Sequence, residues 1–272
     1  MIKRTVSTLF LWAVLVFAIY FFGGAGFAGL MLALSLLASF EACRLLEKYG
    51  LSPSYGVVAL LSAAVYAPIF LNLGSGVFFG GAFLAVSLLA AGSLASPYCG
   101  FVQKRVIPTI LAFIFIPLFL ALLALVCGMG KSGLALAIWA VGSAKFCDVG
   151  GYIFGCAFGR HKIAPSVSPK KSVEGLLGGM ALSAGFSLAL TGLWKGAFDL
   201  GFNPGWLAAL SAFALAPISL VSDLLESALK RVAGAKDSGN TIPGIGGALD
   251  LADSVLLCGP AAYFIAALIL KM

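Results

Sequence analysis

Long apolar runs, separated by short polar or glycine-rich stretches, follow one another along the whole chain. A helix needs about 20 apolar residues to cross the hydrocarbon core of a bilayer. Such a segment must be helical, because lipid offers no hydrogen-bond partner to the backbone of an open strand. The pattern therefore predicts an all-α polytopic integral membrane protein. About nine transmembrane helices are expected, at about 6–22, 24–42, 55–72, 76–96, 106–127, 132–156, 173–194, 204–229 and 249–270.

The composition agrees with this fold class. The chain is 61% hydrophobic and 10% charged, with a mean hydropathy of +1.10, whereas soluble domains carry roughly 25% charged residues. The net charge of +7 comes from basic residues confined to short loops. That placement favours contact with a membrane surface and with phosphates, so no nucleic-acid partner is expected.

The distribution of basic residues predicts the orientation. Cytoplasmic loops of membrane proteins are enriched in Lys and Arg. A cytoplasmic N-terminus places most of the 17 Lys and Arg residues on the cytoplasmic side and leaves Lys131, Lys195 and Lys271 outside. We therefore expect a multi-pass protein of the cell inner (plasma) membrane, with its polar site facing the cytoplasm. The two long cytoplasmic loops, about 157–172 and 231–248, hold most of the remaining polar residues.

Acidic residues divide the chain into two parts. Up to residue 130 the acids are Glu41 and Glu47, whereas half of the ten carboxylates fall between residues 222 and 254. Residues 1–130 are predicted to form N-terminal transmembrane helices for scaffolding or oligomerisation, and this apolar part could support a homodimer. Residues 131–272 are predicted to form the transmembrane region that carries the chemistry, with a site facing the cytoplasm.

The acidic stretch has the pattern of a metal and phosphate site. Asp223, Glu226 and Lys230 share one helix face, and Asp250 and Asp253 open the next apolar helix. The Gly/Pro-rich loop between them can bring backbone N–H groups close to an oxyanion. Such carboxylates suit Mg²⁺ bound together with substrate phosphates. The alternative is a set of interfacial carboxylates that pair with neighbouring cations.

Two further groups lie upstream. Lys145 and Asp148 fall inside an apolar span, where charges are costly and usually functional; the alternative is a structural ion pair. The segment 168–172 carries two hydroxyls and two ammonium groups on a proline-containing turn just before a helix. A helix N-terminus with flanking cations is an anion site. The same residues also fit a plain topology signal.

The C-terminal motif resembles a known family. Residues 227–253 read Ser-x2-Lys-Arg-x4-Lys-Asp-x-Gly-x2-Ile-Pro-Gly-x-Gly-Gly-x2-Asp-x2-Asp, which resembles the signature of the phosphatidate cytidylyltransferases (CDP-diacylglycerol synthases). The block from Asp148 to Gly175 is similar to that family's second cytoplasmic block, so the resemblance covers about residues 145–254. The chain departs from the family at Ile245 and Leu251, where His and Arg are common.

This resemblance implies transfer of CMP from CTP to phosphatidate, with Mg²⁺ as cofactor and with CDP-diacylglycerol and pyrophosphate as products for phospholipid biosynthesis. It implies metal ligands at Asp223, Asp250 and Asp253. The implied catalytic residues are Asp223, Asp250, Lys230, Arg231, Lys236 and Asp237. The implied substrate-binding residues are Ser168, Lys170, Lys171, Ser172, Asp148, Glu174, Gly246 and Gly247.

Three rival interpretations remain, one of them also an enzyme and two from other classes. A CTP-dependent lipid kinase on the same fold is disfavoured by the long match around Lys170 and Lys171 and by the Asp250 and Asp253 ending. A transporter should show interrupted helices in corresponding halves, and the acids here cluster in one half. The third rival is a divergent, non-catalytic membrane protein. Its best support is that Ile245 and Leu251 replace the family's usual His and Arg, which removes one hydrogen-bond donor and one cation beside the site.

Overall fold

The computed structural model describes residues 2–94, 99–200, 203, 205–242, 244 and 246–270. Lys271, Pro243 and Ile245 lie outside the described residues. The expected position of Lys271 outside the cytoplasm and the predictions made for Pro243 and Ile245 in the glycine-rich loop therefore stay untested. Within the described part the regular secondary structure is helical, apart from one short β-hairpin and an isolated β-bridge between Ile242 and Gly246.

Among the described residues, nine helical segments carry the fold. They are α1 (Ile2–Lys48), α2 (Tyr55–Phe70), α3 (Gly74–Leu94), α4 (Val102–Val126), α5 (Gly133–Phe158), α6 (Val173–Leu193), α7 (Trp206–Val232), α8 (Ala248–Ala252) and α9 (Cys258–Ile269). Helix α4 follows a single turn at Cys99–Phe101 and contains π-helical turns at Val102–Val106 and Ile114–Leu118. Another π-helical turn, Ser211–Leu215, lies within α7, and a 3₁₀ turn at Lys195–Ala197 follows α6.

In the part of the chain that the structure describes, six helices are long and apolar enough to cross a membrane. They lie at Ala13–Lys48, Gly74–Gly92, Val102–Val126, Gly133–Phe158, Val173–Leu193 and Trp206–Val232. Helices α2 and α9 are apolar but shorter. The prediction of an all-α, multi-pass membrane protein is therefore confirmed. The count of nine passes and the cytoplasmic N-terminus stay predictions.

Helix α1 contains the first two predicted spans. Gly23 interrupts it with φ 55° and ψ −131°, a conformation that glycine adopts without steric cost. A Cβ atom added to Gly26 would collide with the carbonyl group of Ala18. Because these residues would be far apart on a straight helix, the chain bends sharply at Gly23, where the sequence predicts a glycine-rich turn.

The last apolar helix begins later than its predicted start at residue 249. Helix α8 ends at Ala252, and α9 begins at Cys258. In the intervening turn the backbone N–H of Ser254 donates to the carboxylate of Asp253 at 2.5 Å. A hydrogen bond from a side chain to the neighbouring backbone competes with helical hydrogen bonding, which is consistent with the break after Ala252. Asp250 and Asp253 therefore precede α9 and do not open it as predicted.

The chain forms two compact units. The first unit comprises Met1–Leu125 and Leu229–Ala252, and the second comprises Val126–Ala228 and Asp253–Met272. In the first unit, α1 packs against α2 and α8; in the second, α5 packs along α6 and against α9. The predicted division of labour between residues 1–130 and 131–272 stays a prediction.

The core of the second unit lies between α5 and α6. Trp139 is 1% exposed, and its indole N–H donates to the Oγ atom of Ser187 at 2.9 Å. The hairpin just before α6 pairs β1 (Lys162–Ala164) antiparallel with β2 (Ser168–Ser172). The sequence predicts a turn over 168–172, and the structure has a strand there instead, because its backbone pairs with β1.

Candidate active site

Helices α5 and α6 approach each other closely at glycines. A Cβ atom added to Gly150 would lie 2.6 Å from the carbonyl oxygen of Gly178, and one added to Gly179 would lie 2.7 Å from that of Cys147. Small residues allow this approach between membrane helices. Because β2 leads directly into α6, the same approach holds the end of β2 against α5.

Lys171 lies at the centre of a charged cluster in the second unit. Alternation along β2 leaves Lys170 exposed and Lys171 partly buried. The Nζ atom of Lys171 lies 2.5 Å from a carboxylate oxygen of Asp223 on α7 and 3.7 Å from one of Asp148 on α5. Burial lowers the pKa of Lys171, but attraction to these two carboxylates outweighs it and holds the pKa above its usual range. The ammonium is therefore charged at neutral pH.

Three carboxylates converge beside this lysine. Asp223 and Glu226 lie one turn apart on α7, and Asp253 comes from the turn before α9. One oxygen from each lies within 4.8 Å of the others. Hard carboxylate oxygens at this separation are the ligands that Mg²⁺ prefers. The donor set therefore fits a hard divalent cation.

Lys145 accompanies the third carboxylate. Its Nζ atom lies 3.5 Å from Asp253 and donates to the Oγ atom of Ser254 at 2.8 Å, so the two charges of α5, Lys145 and Asp148, each have a partner on another element. Burial raises the pKa of Asp253 to about 6; attraction to Lys145 opposes this rise, and repulsion from Asp223 and Asp148 adds to it. A cation bound at the three carboxylates would relieve that repulsion.

Asp250 belongs to a different cluster, in the first unit. Its carboxylate accepts hydrogen bonds from Lys230 Nζ at 2.7 Å, from Ser238 Oγ at 2.8 Å and N–H at 3.0 Å, and from the Gly247 N–H at 2.8 Å. Burial raises the pKa of Asp250, but these donors outweigh burial and hold the pKa below its usual range. The carboxylate predicted as a metal ligand is thus held by a lysine and the glycine-rich loop.

Two predicted binding residues close the hairpin. Ser172 is buried and caps α6 by accepting the Gly175 N–H at 3.2 Å. Glu174 accepts the backbone N–H groups of Arg160 and His161, and its carboxylate lies 2.6 Å from Nδ1 of His161. These contacts fix the hairpin that presents Lys171.

The remaining predicted residues lie nearer solvent. Lys170, Arg231, Lys236 and Asp237 are exposed and Ser168 is half-buried. Arg231 donates to the Ala235 carbonyl at 3.3 Å, which ties it to the turn after α7. The structure does not bring these side chains into either carboxylate cluster, so their predicted roles in catalysis and substrate binding stay predictions.

Gly246 and Gly247 lie where the packing of the loop leaves no room for a side chain. Gly246 has φ 129°, and a Cβ atom there would lie 2.9 Å from a carboxylate oxygen of Asp250. A Cβ atom on Gly247 would collide with Ser238 Oγ and with the Glu41 carboxylate. Both glycines are thus needed for close packing within the first unit, and their predicted contact with phosphate stays a prediction.

The sequence placed Glu226 in the acidic pattern of the metal site and marked Lys145 as a charge inside an apolar span, and the structure brings both into the cluster of the second unit. The sequence gave no site role to two polar residues of the first unit, Ser238 and Glu41. Ser238 and Glu41 carry no spacing signal, because their partners lie far away along the chain. Leu251, one of the two departures, is half-buried on α8.

Comparison with known proteins places the chain in a family. The model of the cytidylyltransferase family matches residues 2–269. Similar curated proteins named phosphatidate cytidylyltransferase include those of Staphylococcus haemolyticus (40% identical over 42% of this chain and 42% of the relative), Synechocystis sp. (41%, over 52% and 46%) and Bacillus subtilis (40%, over 44% and 43%). The matched segments thus span less than half the length of these relatives. Because the family model covers nearly the whole sequence, this chain belongs to the cytidylyltransferase family.

Proposed function

We propose that this protein is a nucleotidyltransferase that moves CMP from CTP to phosphatidate, forming CDP-diacylglycerol and pyrophosphate for phospholipid biosynthesis. Membership of the cytidylyltransferase family and the names of the similar proteins support the reaction class. The observation that carries the proposal is the cluster of the second unit, in which Lys171 and Lys145 accompany three converging carboxylates.

The proposed reaction needs no general base. A phosphate oxygen of phosphatidate, already ionised at neutral pH, forms a bond to the α-phosphorus of CTP. The bond from that phosphorus to the oxygen bridging to the β-phosphate breaks, and pyrophosphate leaves with the electron pair. The protein has to hold two polyanions in line and stabilise the charge that develops on them.

The metal would be held by Asp223, Glu226 and Asp253. Their converging oxygens and the repulsion among buried carboxylates support this assignment. Bound there, Mg²⁺ supplies a Lewis acid for the α-phosphate and for the leaving pyrophosphate. The sequence motif also implies Asp250 as a metal ligand. The ion pair of Asp250 with Lys230 supports a different role, in which Asp250 orients the Lys230 ammonium.

The lysines would bind phosphate oxygens. Lys171 is oriented by Asp148 and Asp223, and Lys145 is oriented by Asp253. Each ammonium has three donors, so a carboxylate can orient it while another N–H meets a phosphate. The motif assigns the same task to Ser168, Lys170, Ser172, Lys230, Arg231 and Lys236. It also assigns close phosphate approach to Gly246 and Gly247, substrate contact to Glu174 and cation orientation to Asp237.

The membrane arrangement completes the proposal. The six helices of spanning length and the two shorter apolar helices among the described residues support a multi-pass arrangement, and the Lys and Arg distribution supports a cytoplasmic N-terminus. We extend this to nine passes in the cell inner membrane. A site facing the cytoplasm would receive CTP from water and phosphatidate from the bilayer. The exposed apolar side chains of α3, such as Phe83, Leu84 and Leu88, support lipid contact or a homodimer in the N-terminal part.

Incubation of the purified full chain in detergent with radiolabelled CTP and phosphatidate tests the proposal. Labelled CDP-diacylglycerol should form with Mg²⁺ and should not form with EDTA. A folded, monodisperse sample that forms no product would contradict the proposal and favour a divergent, non-catalytic member of the family.

A further inference from the structure

Glu41 is a buried carboxylate on the apolar helix α1. Its side chain lies near the C-terminal end of that helix, and the residue is only 3% exposed. Burying a carboxylate is costly unless hydrogen-bond donors surround it. Glu41 therefore has to gain compensating contacts, and all three that the structure gives come from the segment 238–249, here termed the glycine loop.

Three donors of the glycine loop meet this carboxylate. The hydroxyl of Ser238 donates to Oε2 at 3.0 Å, and the backbone N–H of Leu249 donates to the same oxygen at 2.9 Å. The hydroxyl of Thr241 donates to Oε1. Hydrogen bonds to a carboxylate are stronger than neutral ones, so Glu41 ties both ends of the loop to α1.

Two glycines of the sequence motif make room for the carboxylate. A Cβ atom added to Gly239 would collide with Oε1 of Glu41, and one added to Gly247 would collide with Oε2. Any side chain at either position would push the loop and the carboxylate apart. These motif glycines therefore fit the Glu41 contact directly.

The same loop holds Asp250. The Ser238 hydroxyl lies between Glu41 Oε2, at 3.0 Å, and Asp250 Oδ2, at 2.8 Å, so the two carboxylates share its single proton. The N–H groups of Ser238 and Gly247 donate to that same Asp250 oxygen. A displacement of the loop would therefore move the donors that orient Asp250, and with it the Lys230 ion pair.

We propose that Glu41 is a positioning residue for the reaction: it anchors the glycine loop, and the loop holds Asp250 and Lys230 in their working geometry. This inference rests on the proposed function for its effect on turnover. Glu41 is buried, and in this proposal it acts through the loop rather than by binding substrate. Its loss should therefore lower kcat and leave KM for CTP and for phosphatidate within about twofold, because a small misplacement of reacting groups costs up to about 100-fold in rate.

Glu41→Gln is the sharpest variant, because it keeps the shape and turns one acceptor oxygen into a donor that faces other donors. Glu47→Gln is the matched control, since it removes the same charge from an exposed position on the same helix. We expect kcat to fall about 10- to 100-fold for Glu41→Gln and to change less than twofold for Glu47→Gln. Equal effects of the two variants, or a Glu41→Gln enzyme with unchanged kcat, would overturn the inference.

Amide hydrogen exchange can be measured without activity. It distinguishes local anchoring of the glycine loop by Glu41 from a contribution of Glu41 to the stability of the whole protein. In Glu41→Gln, peptides covering 237–250 should exchange faster, while those of the second unit should keep their protection. Unchanged exchange in 237–250, or a loss of protection throughout the chain, would overturn the anchoring role. A wild-type protein without activity would instead refute the proposed function, and the exchange result would still decide the anchoring.

Ser238→Ala tests the link from its other end. If Glu41 acts through Ser238, the double variant Glu41→Gln/Ser238→Ala should lose little more activity than either single variant, because coupled residues are not additive. Fully additive losses in kcat would contradict the link.

Discussion

The ammonium of Lys171 lies 2.5 Å from a carboxylate oxygen of Asp223, although Lys171 lies on the short strand β2 and Asp223 lies on α7. A carboxylate oxygen of Asp148 lies 3.7 Å from the same ammonium. One cation thus lies within ion-pair distance of two carboxylates contributed by separate helices. Its charge state and position should therefore control the chemistry of the second unit.

Lys171→Ala should reduce kcat by about 100-fold, because it removes a preorganised donor and leaves Asp148 and Asp223 without their shared cation. Lys162→Ala is the control, since Lys162 is an exposed cation of the same hairpin. Steady-state turnover of both variants checks the prediction. Equal, small effects would mean that the segment 168–172 is only a topology signal.

Asp223→Asn should abolish Mg²⁺-dependent turnover and weaken metal binding, because it removes one of three converging oxygens. Mn²⁺ can replace Mg²⁺ as a paramagnetic probe, so its binding can be measured by electron paramagnetic resonance without substrate. Asp199→Asn is the control, an exposed acid of the same unit. Retained Mn²⁺ affinity in Asp223→Asn would remove this residue from the metal site.

The effect of Mg²⁺ on stability should depend on pH. The pKa of Asp253 is raised to about 6, and metal binding requires the deprotonated carboxylate. Mg²⁺ at 100 times its Kd should stabilise the protein by about 2.7 kcal/mol at pH 7.5, and this gain should shrink as the pH falls through 6. Thermal unfolding with and without Mg²⁺ at pH 7.5 and 5.5 checks this. An equal gain at both pH values would contradict the assignment of Asp253.

Gly179→Ala should destabilise the second unit by about 1–3 kcal/mol, because the new Cβ atom would press against the Cys147 carbonyl. Gly185→Ala on the same helix is the control, since nothing lies within 4 Å of its Cβ position. The control should be neutral or slightly stabilising in a helix. Denaturation of both variants in detergent measures the difference, and equal midpoints would show that α5 and α6 can separate at no cost.

The helical, membrane-embedded fold was predictable from the sequence because apolar runs of spanning length have few alternatives in lipid. The convergence of Asp223 and Asp253 was also predictable, because the acids cluster on two consecutive apolar segments that one glycine-rich loop connects. The β2 strand was not, because the strand it pairs with has only three residues and because its Ser-Pro-Lys-Lys sequence also suits a turn.

The contacts of Glu41 lay beyond sequence reasoning for a different reason. A carboxylate near the end of an apolar helix is equally compatible with an interfacial position, and no local spacing connects it to Ser238. The glycines of the motif were interpreted as space for a phosphate. The structure shows that Gly239 and Gly247 also border the Glu41 carboxylate, which only the folded backbone reveals.

The position of the label in CTP provides the most direct test of cytidylyl transfer. The purified chain should be given phosphatidate and Mg²⁺ with CTP labelled at either the α- or the γ-phosphate. The account predicts that α-label enters the lipid product and γ-label is released as pyrophosphate. γ-Label in the lipid would establish a CTP-dependent kinase and contradict the account.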